Sequence, residues 1–181
     1  MNNACFKMGS KEIGSGCRPL IIAEMSGNHN GSLDNALNIV RHAAECGADA
    51  IKLQTYTPAT LTLDSHRPEF FIDDPNSPWH RQRLWDLYEK AYTPWEWHQP
   101  IFKLARSLGL SCVSTVFDST SLKFLLDCGV DALKVASFEL IHIPLLEEVA
   151  QSRKPVLLST GMASLHELDD AVSTLRKNGC T

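Results

Sequence analysis

Lys52 and Lys134 each stand inside an apolar run, Ala50 to Tyr56 and Ala132 to Ser137. An ammonium ion enclosed in such a run is costly unless a negative charge neutralises it. Two lysines in this setting predict either ion pairs or an anionic ligand. Thr115, Ser137 and Ser159 fall at the ends of similar runs. Their hydroxyls give directional hydrogen bonds to phosphate oxygens while lysine supplies charge, so the set favours a small phosphorylated acid. Glu24 and Glu139 end or follow the same runs. Two roles are open to them: counter-ions in a purely structural network, or groups that move protons. A Schiff base on a lysine whose pKa is lowered by its neighbour is a further alternative.

Other polar types are less informative. His29 follows the first run closely enough to touch a ligand there, while His42, His66, His80, His98, His142 and His166 lack metal-ligand spacing and read as packing or surface residues. Six cysteines without a Cys-x-x-Cys pair read as buried thiols rather than disulfides or zinc ligands.

The elements that must position these groups follow from the hydrophobic pattern. Apolar runs ending in a polar residue recur at Pro19 to Glu24, Ala50 to Tyr56, Leu110 to Val116, Ala132 to Ser137 and Pro155 to Thr160, the pattern of buried parallel strands. Leu33, Ala36, Leu37, Val40 and Ala44 share a helical face that ends at Gly47. Thr93, Pro94 and Glu96 predict an N-cap, a first-turn proline and a capping-box acid for a helix stopping before Gly109. Ser164 and Glu167 repeat the capping box for a last helix reaching Gly179, with further helices near Leu122 to Cys128 and Pro144 to Ala150.

Five β-then-α units predict an α/β fold with a parallel sheet and right-handed crossovers, either doubly wound or a (β/α)8 barrel of the TIM type. A closed barrel takes about 250 residues. The 181 residues hold about five units, so only part of a barrel is expected. Residues 1–18 form an amino-terminal extension and 19–181 the partial barrel domain. Within it, residues 57–92 are too long for an ordinary connection and read as a disordered insertion or a lid. Trp79, Trp85, Leu87 and Tyr88 favour a lid folded onto the strand ends. In both architectures functional groups gather at the carboxyl ends of strands, where Ser26, Asn28, Gln54, Thr55, Ser114 and Asp118 would join the lysines.

A net charge of −4 without a basic block offers no footprint for nucleic acid or an anionic membrane. No apolar run approaches the roughly 18 residues of a membrane span, and no basic-then-apolar export signal opens the chain, so a cytoplasmic protein is expected.

Five motifs in order carry a resemblance: Ile22-Ala23-Glu24 with Asn28-His29-Asn30-Gly31; Lys52-Leu53-Gln54-Thr55; Tyr92-Thr93-Pro94-Trp95-Glu96-Trp97-His98; Lys134 through Glu139; and Leu158-Ser159-Thr160-Gly161-Met162. From Pro19 onward the chain resembles the sialic acid synthase family, and the Thr-Pro-Trp-Glu-Trp-His segment is most similar to its pseudaminic acid synthase branch. The resemblance implies condensation of phosphoenolpyruvate with an open-chain N-acetylated amino sugar, a 2,4-diacetamido-2,4,6-trideoxy hexose, to give a nine-carbon 2-keto acid and phosphate. N-acetylneuraminic or legionaminic acid synthase, or a non-catalytic fragment that binds phosphoenolpyruvate or a partner chain, are the alternatives. By the family pattern Lys52, Thr115, Lys134, Ser137 and Ser159 hold phosphoenolpyruvate, Glu139 is the catalytic carboxylate and Glu24 a second site acid. The family further implies a homodimer, a carboxy-terminal antifreeze-like domain outside this sequence, and a divalent metal, manganese, that polarises the acceptor aldehyde. Its histidine ligands are expected beyond residue 181.

Overall fold

Successive residues of a strand point to opposite faces, so each apolar run must satisfy two surroundings at once. The computed structural model, which describes residues 5–180, shows how. Strands β3 (Ile22–Glu24), β4 (Ala50–Thr55), β5 (Ser111–Val116), β6 (Ala132–Val135) and β7 (Val156–Leu158) pair in chain order, all parallel. Helices α1 (Leu33–Glu45), α4 (His98–Ser107), α5 (Ser119–Asp127), α6 (Ile143–Gln151) and α7 (Leu165–Lys177) connect or follow them. The result is a half-barrel of five βα units.

On the outer face Ile51, Leu53, Cys112, Leu133 and Val135 pack with Val40, Ile101, Phe102, Leu125 and Leu146 of the helices in one core. The inner face is closed at the amino ends of the strands by an element the sequence pattern did not announce. Strands β1 (Cys5–Met8) and β2 (Lys11–Gly14) form an antiparallel hairpin within the expected amino-terminal extension. Its Met8 is fully buried against Ala50, Val113 and Ala132. Ser111 Oγ donates to the Met8 carbonyl at 3.2 Å. Four-residue strands with polar alternation lack the apolar run that marks the other five.

The Ser164 capping box forms as expected, with Ser164 Oγ accepting from Glu167 N and the Glu167 carboxylate accepting from Ser164 N. The one at Thr93 does not. A 3-10 turn (Trp95–Trp97) precedes α4, which starts without a side-chain cap, and Thr93 is buried against His29 instead. The buried partner outcompetes an exposed helix end. Residues 57–92 carry helices α2 (Pro58–Leu61) and α3 (Leu84–Ala91), a 3-10 turn (Pro68–Phe70) and a bridge between Phe71 and Arg83. Arg83 ties the segment together through ion pairs to Asp64 and Asp86. Among the described residues no helix is long and apolar enough to cross a membrane.

Candidate active site

Parallel register decides which side chains share the inner face. Glu24 lies beside Lys52, Gln54 beside Thr115, and Thr115 beside Lys134. Alternation along β4 and β5 then puts Glu24, Lys52, Gln54, Thr115 and Lys134 on one side of the sheet, near the carboxyl ends of the strands. Ser159 follows β7 two residues after Leu157, the neighbour of Lys134, and its N–H donates to the Val135 carbonyl at 3.0 Å. Ser137 opens the 3-10 turn after β6 (Ser137–Ile141), which also carries Glu139. Gly161 admits Ser137 there, for a Cβ at that position would stand 3.2 Å from Ser137 Oγ. All seven residues expected at the site therefore lie at one end of the sheet.

Their electrostatics are unequal. Lys52 is buried and pairs with the half-exposed Glu24 at 2.7 Å, with Thr115 Oγ1 3.4 Å from its Nζ. Lys134 forms no ion pair among the described residues, and burial, then the neighbouring Lys52, lowers its pKa against the opposing pull of Glu24 and Glu139. Burial raises the Glu139 pKa above the usual carboxyl range, although its own backbone N–H, Lys134 and His142 oppose the shift. Glu139 Oε2 is buried without a hydrogen-bond partner. The ion-pair network weighed above thus exists for Lys52 and Glu24 and is incomplete for Lys134 and Glu139. An ammonium without an ion pair and a carboxyl with one unpartnered oxygen are what an anionic ligand and a proton transfer would use.

Behind this face the Thr93 to His98 motif holds strand ends in place. A carbonyl can only accept, so His98 Nδ1, 3.3 Å from the Pro94 oxygen, carries the proton. Thr55 Oγ1 therefore donates to His98 Nε2 at 2.8 Å and accepts from Ser114 Oγ at 2.7 Å. His29 takes the opposite tautomer: Gly31 N–H donates to its Nδ1 at 3.2 Å, leaving Nε2–H to donate to Thr93 Oγ1 at 3.1 Å. Both rings are fully buried and neutral, and burial lowers both pKa values, that of His98 to about 4. His29 is thus a packing residue and not the ligand contact its loop position suggested. Trp95 Nε1 donates to the Tyr56 carbonyl at 3.3 Å, and Trp97 meets His29 edge-on at 5.4 Å between ring centres.

A cleft of about 540 Å³ opens between the loop after β3 and residues 57–92, lined by Asn28, Gln54, Tyr56, Trp79, Gln82 and Tyr88 among others. Burial, then Tyr88, pushes the Tyr56 pKa up to about 12, so its phenol stays protonated. Gln82 and Lys90 also face the cleft, and no spacing in the sequence singled them out. Gly27 permits the approach of α3, since a Cβ there would meet the Ala91 carbonyl oxygen at 2.6 Å. Among the described residues no group of three or more His, Cys, Asp or Glu side chains could hold a metal ion, so a divalent metal does not fit the residues present. The thiols depart from the expected burial: Cys112 and Cys128 are buried, but Cys5 and Cys46 are exposed and Cys17 and Cys180 half-buried.

A parallel half-barrel with cationic and hydroxyl groups at its carboxyl mouth defines a class of βα-barrel scaffolds. Within that class the chain belongs to the NeuB family, whose sequence profile matches residues 39–181. It is 43% identical over 159 residues to the pseudaminic acid synthase of Helicobacter pylori, covering 88% of this chain and 46% of that protein. To the N,N'-diacetyllegionaminic acid synthase of Legionella pneumophila it is 36% identical over 168 residues, covering 93% and 47%. The crystal structure of N-acetylneuraminic acid (sialic acid) synthetase from Leptospira borgpetersenii in complex with citrate superposes with a TM-score of 0.83 at 30% identity, covering 97% of this chain and 56% of that one. The chain spans about half the length of the relatives it matches.

Proposed function

We propose that this chain supplies the phosphoenolpyruvate-binding half of a nonulosonic acid synthase of the pseudaminic type. One observation carries the reading: Lys134 and Glu139, neither neutralised by a direct partner, stand with Lys52, Thr115, Ser137 and Ser159 at a single mouth. In this reading the lysines and hydroxyls hold the phosphate and carboxylate of phosphoenolpyruvate. Carbon 3 of the enol attacks the aldehyde of the open-chain acceptor, water adds at carbon 2, and the C–O bond breaks to release phosphate. Glu139, whose pKa burial raises, exchanges a proton with the alkoxide that forms when the enol carbon adds to the aldehyde, or with the water that adds at carbon 2. Glu24 keeps the Lys52 ammonium in place beside the donor.

Residues 57–92 act as the lid over the acceptor, whose acetamido groups suit a cleft with amide, phenol and indole walls. The higher identity to a pseudaminic than to a legionaminic acid synthase supports the 2,4-diacetamido-2,4,6-trideoxy hexose as acceptor. The ligands of manganese and the remaining barrel strands would lie on polypeptide outside these 181 residues, and the full enzyme would be a homodimer. The test is phosphate release from phosphoenolpyruvate with manganese and each acceptor, using the chain with and without the carboxy-terminal half of a relative that these residues do not match. Release with the pseudaminic acceptor supports the reading. Release with N-acetylmannosamine or a legionaminic precursor alone reassigns the acceptor. Bound phosphoenolpyruvate without turnover under every condition favours a non-catalytic binding fragment. A borohydride-trapped adduct on Lys134 would replace the phosphate role by Schiff-base chemistry.

A further inference from the structure

The amino-terminal hairpin brings two cysteines to one glycine, at the end of the sheet opposite the candidate site. Cys5 opens β1 and its partner across the ladder is Gly14. Cys17 returns to the same residue through a turn, its N–H donating to the Gly14 carbonyl at 3.2 Å. Both cysteines therefore neighbour Gly14, one across the strands and the other across the turn. Partial burial, then the Cys5 thiol and the Glu12 carboxylate, hold the Cys17 thiol above its ordinary range. Cys5 is exposed and Cys17 half-buried, so an oxidant meets Cys5 first.

We propose that Cys5 and Cys17 form a redox-modification site, in which a hydroperoxide oxidises the two thiols to a disulfide across the base of the hairpin. In the first step the Cys5 sulfur attacks the peroxide O–O bond. An S–O bond forms, the O–O bond breaks, and Cys5 becomes a sulfenic acid while hydrogen peroxide yields one water. Cys17 then attacks the Cys5 sulfur, the S–S bond forms and the S–O bond breaks, releasing a second water. Two thiols are oxidised and one peroxide is reduced. The high Cys17 pKa suits a resolving partner that waits for the sulfenic acid rather than competing for peroxide.

The consequence falls on the barrel floor. Met8 seals the inner face beneath Ala50, Val113 and Ala132, held there by the short β1–β2 ladder, the Ser111 hydrogen bond to its carbonyl and the Lys11–Asp49 ion pair. A cross-link from Cys5 to Cys17 encloses the whole hairpin in one covalent loop and restrains its fraying. Cys46, exposed at the end of α1, serves as the control thiol.

The full chain is treated with stoichiometric hydrogen peroxide, alkylated, and digested with trypsin without reduction. Cleavage after Lys7 and Lys11 separates the two cysteines into different peptides. The expected result is a peptide pair joined through Cys5 and Cys17, about 2 Da lighter than the two thiol peptides. Titratable thiols fall by two and return with dithiothreitol, and tryptic cutting of the hairpin slows. Cys5→Ser and Cys17→Ser each abolish the joined pair, whereas Cys46→Ser leaves it. Recovery of Cys5 and Cys17 as separately alkylated or sulfinic peptides, or of Cys5 joined to a second chain, would overturn the proposal. Either result is independent of whether the chain binds phosphoenolpyruvate.

Discussion

Lys134 and Glu139 are expensive residues, and that cost is measurable apart from any activity. Lys134 has a lowered pKa, so its contribution to stability is present above the ordinary lysine value and is lost as pH falls below it. At neutral pH the half-buried ammonium therefore destabilises the fold, and Lys134→Met should raise Tm by a few degrees. The same substitution should weaken phosphoenolpyruvate binding about 10- to 100-fold, the loss of a charge-assisted hydrogen bond, as calorimetry would record. Equal Tm and unchanged affinity would remove Lys134 from the site. Glu139 has the opposite sign. Its raised pKa means stability present below the ordinary carboxyl value and lost as pH rises through the raised one. Glu139→Gln should thus gain stability over the wild type as pH increases from about 4.5, keep donor affinity, and lose condensation in the reconstituted enzyme. Unchanged turnover would show that this carboxyl moves no proton in the reaction.

Between single residues and the sheet stands the Thr93 to His98 segment, which works as a buttress. Its His98 accepts from Thr55 Oγ1 on β4, which itself accepts from Ser114 Oγ on β5, and the next neighbours in the chain of these two hydroxyl residues, Gln54 and Thr115, face the site. His98 is neutral, with its pKa lowered from 6.5 to about 4 by burial. A lowered folded-state value gives stability that is full above pH 6.5 and declines as pH falls to about 4, at most about 3 kcal/mol from this one ring. His98→Gln keeps a donor and an acceptor but takes no proton, so its urea midpoint should fall less than the wild type's between pH 7 and pH 5. Parallel pH curves would assign the acid limb to other groups. Residues 57–92 dock by a different device. The 2.6 Å gap between a Cβ at Gly27 and the Ala91 carbonyl makes Gly27→Ala push α3 off the loop after β3. That change should cost about 1–3 kcal/mol and speed proteolysis within 57–92. If the insertion is the acceptor lid, KM for the acceptor rises while donor affinity stays. Protease resistance equal to the wild type's would show that α3 does not depend on this contact.

For the whole molecule the hairpin and the sheet are one unit, because Met8 fills the floor that the strands leave open. Met8→Ala should lower stability by about 2–5 kcal/mol in urea unfolding, and a change under 1 kcal/mol would mean the floor is filled by something else. Much of this architecture was legible from residue order alone. Five apolar runs separated by helical periodicity specify parallel βα units, because a strand buried on both faces needs apolar residues throughout and its crossover needs an amphipathic helix. The polar residues at the ends of those runs named all seven candidate site positions, since side-chain alternation and strand polarity are properties of the chain itself. Other features depend on distant partners. Thr93 carries a helix-capping signature yet bonds His29, which is sixty-four residues away and invisible to local pattern. The β1–β2 hairpin becomes meaningful only when the sheet curves to present an inner face for Met8. Residue order therefore determined which elements form and which side chains sit at their ends. Tertiary structure alone decided that Lys52 is neutralised by Glu24 while Lys134 and Glu139 are left without an ion pair among the described residues, because charge compensation depends on distances between strands that only packing sets.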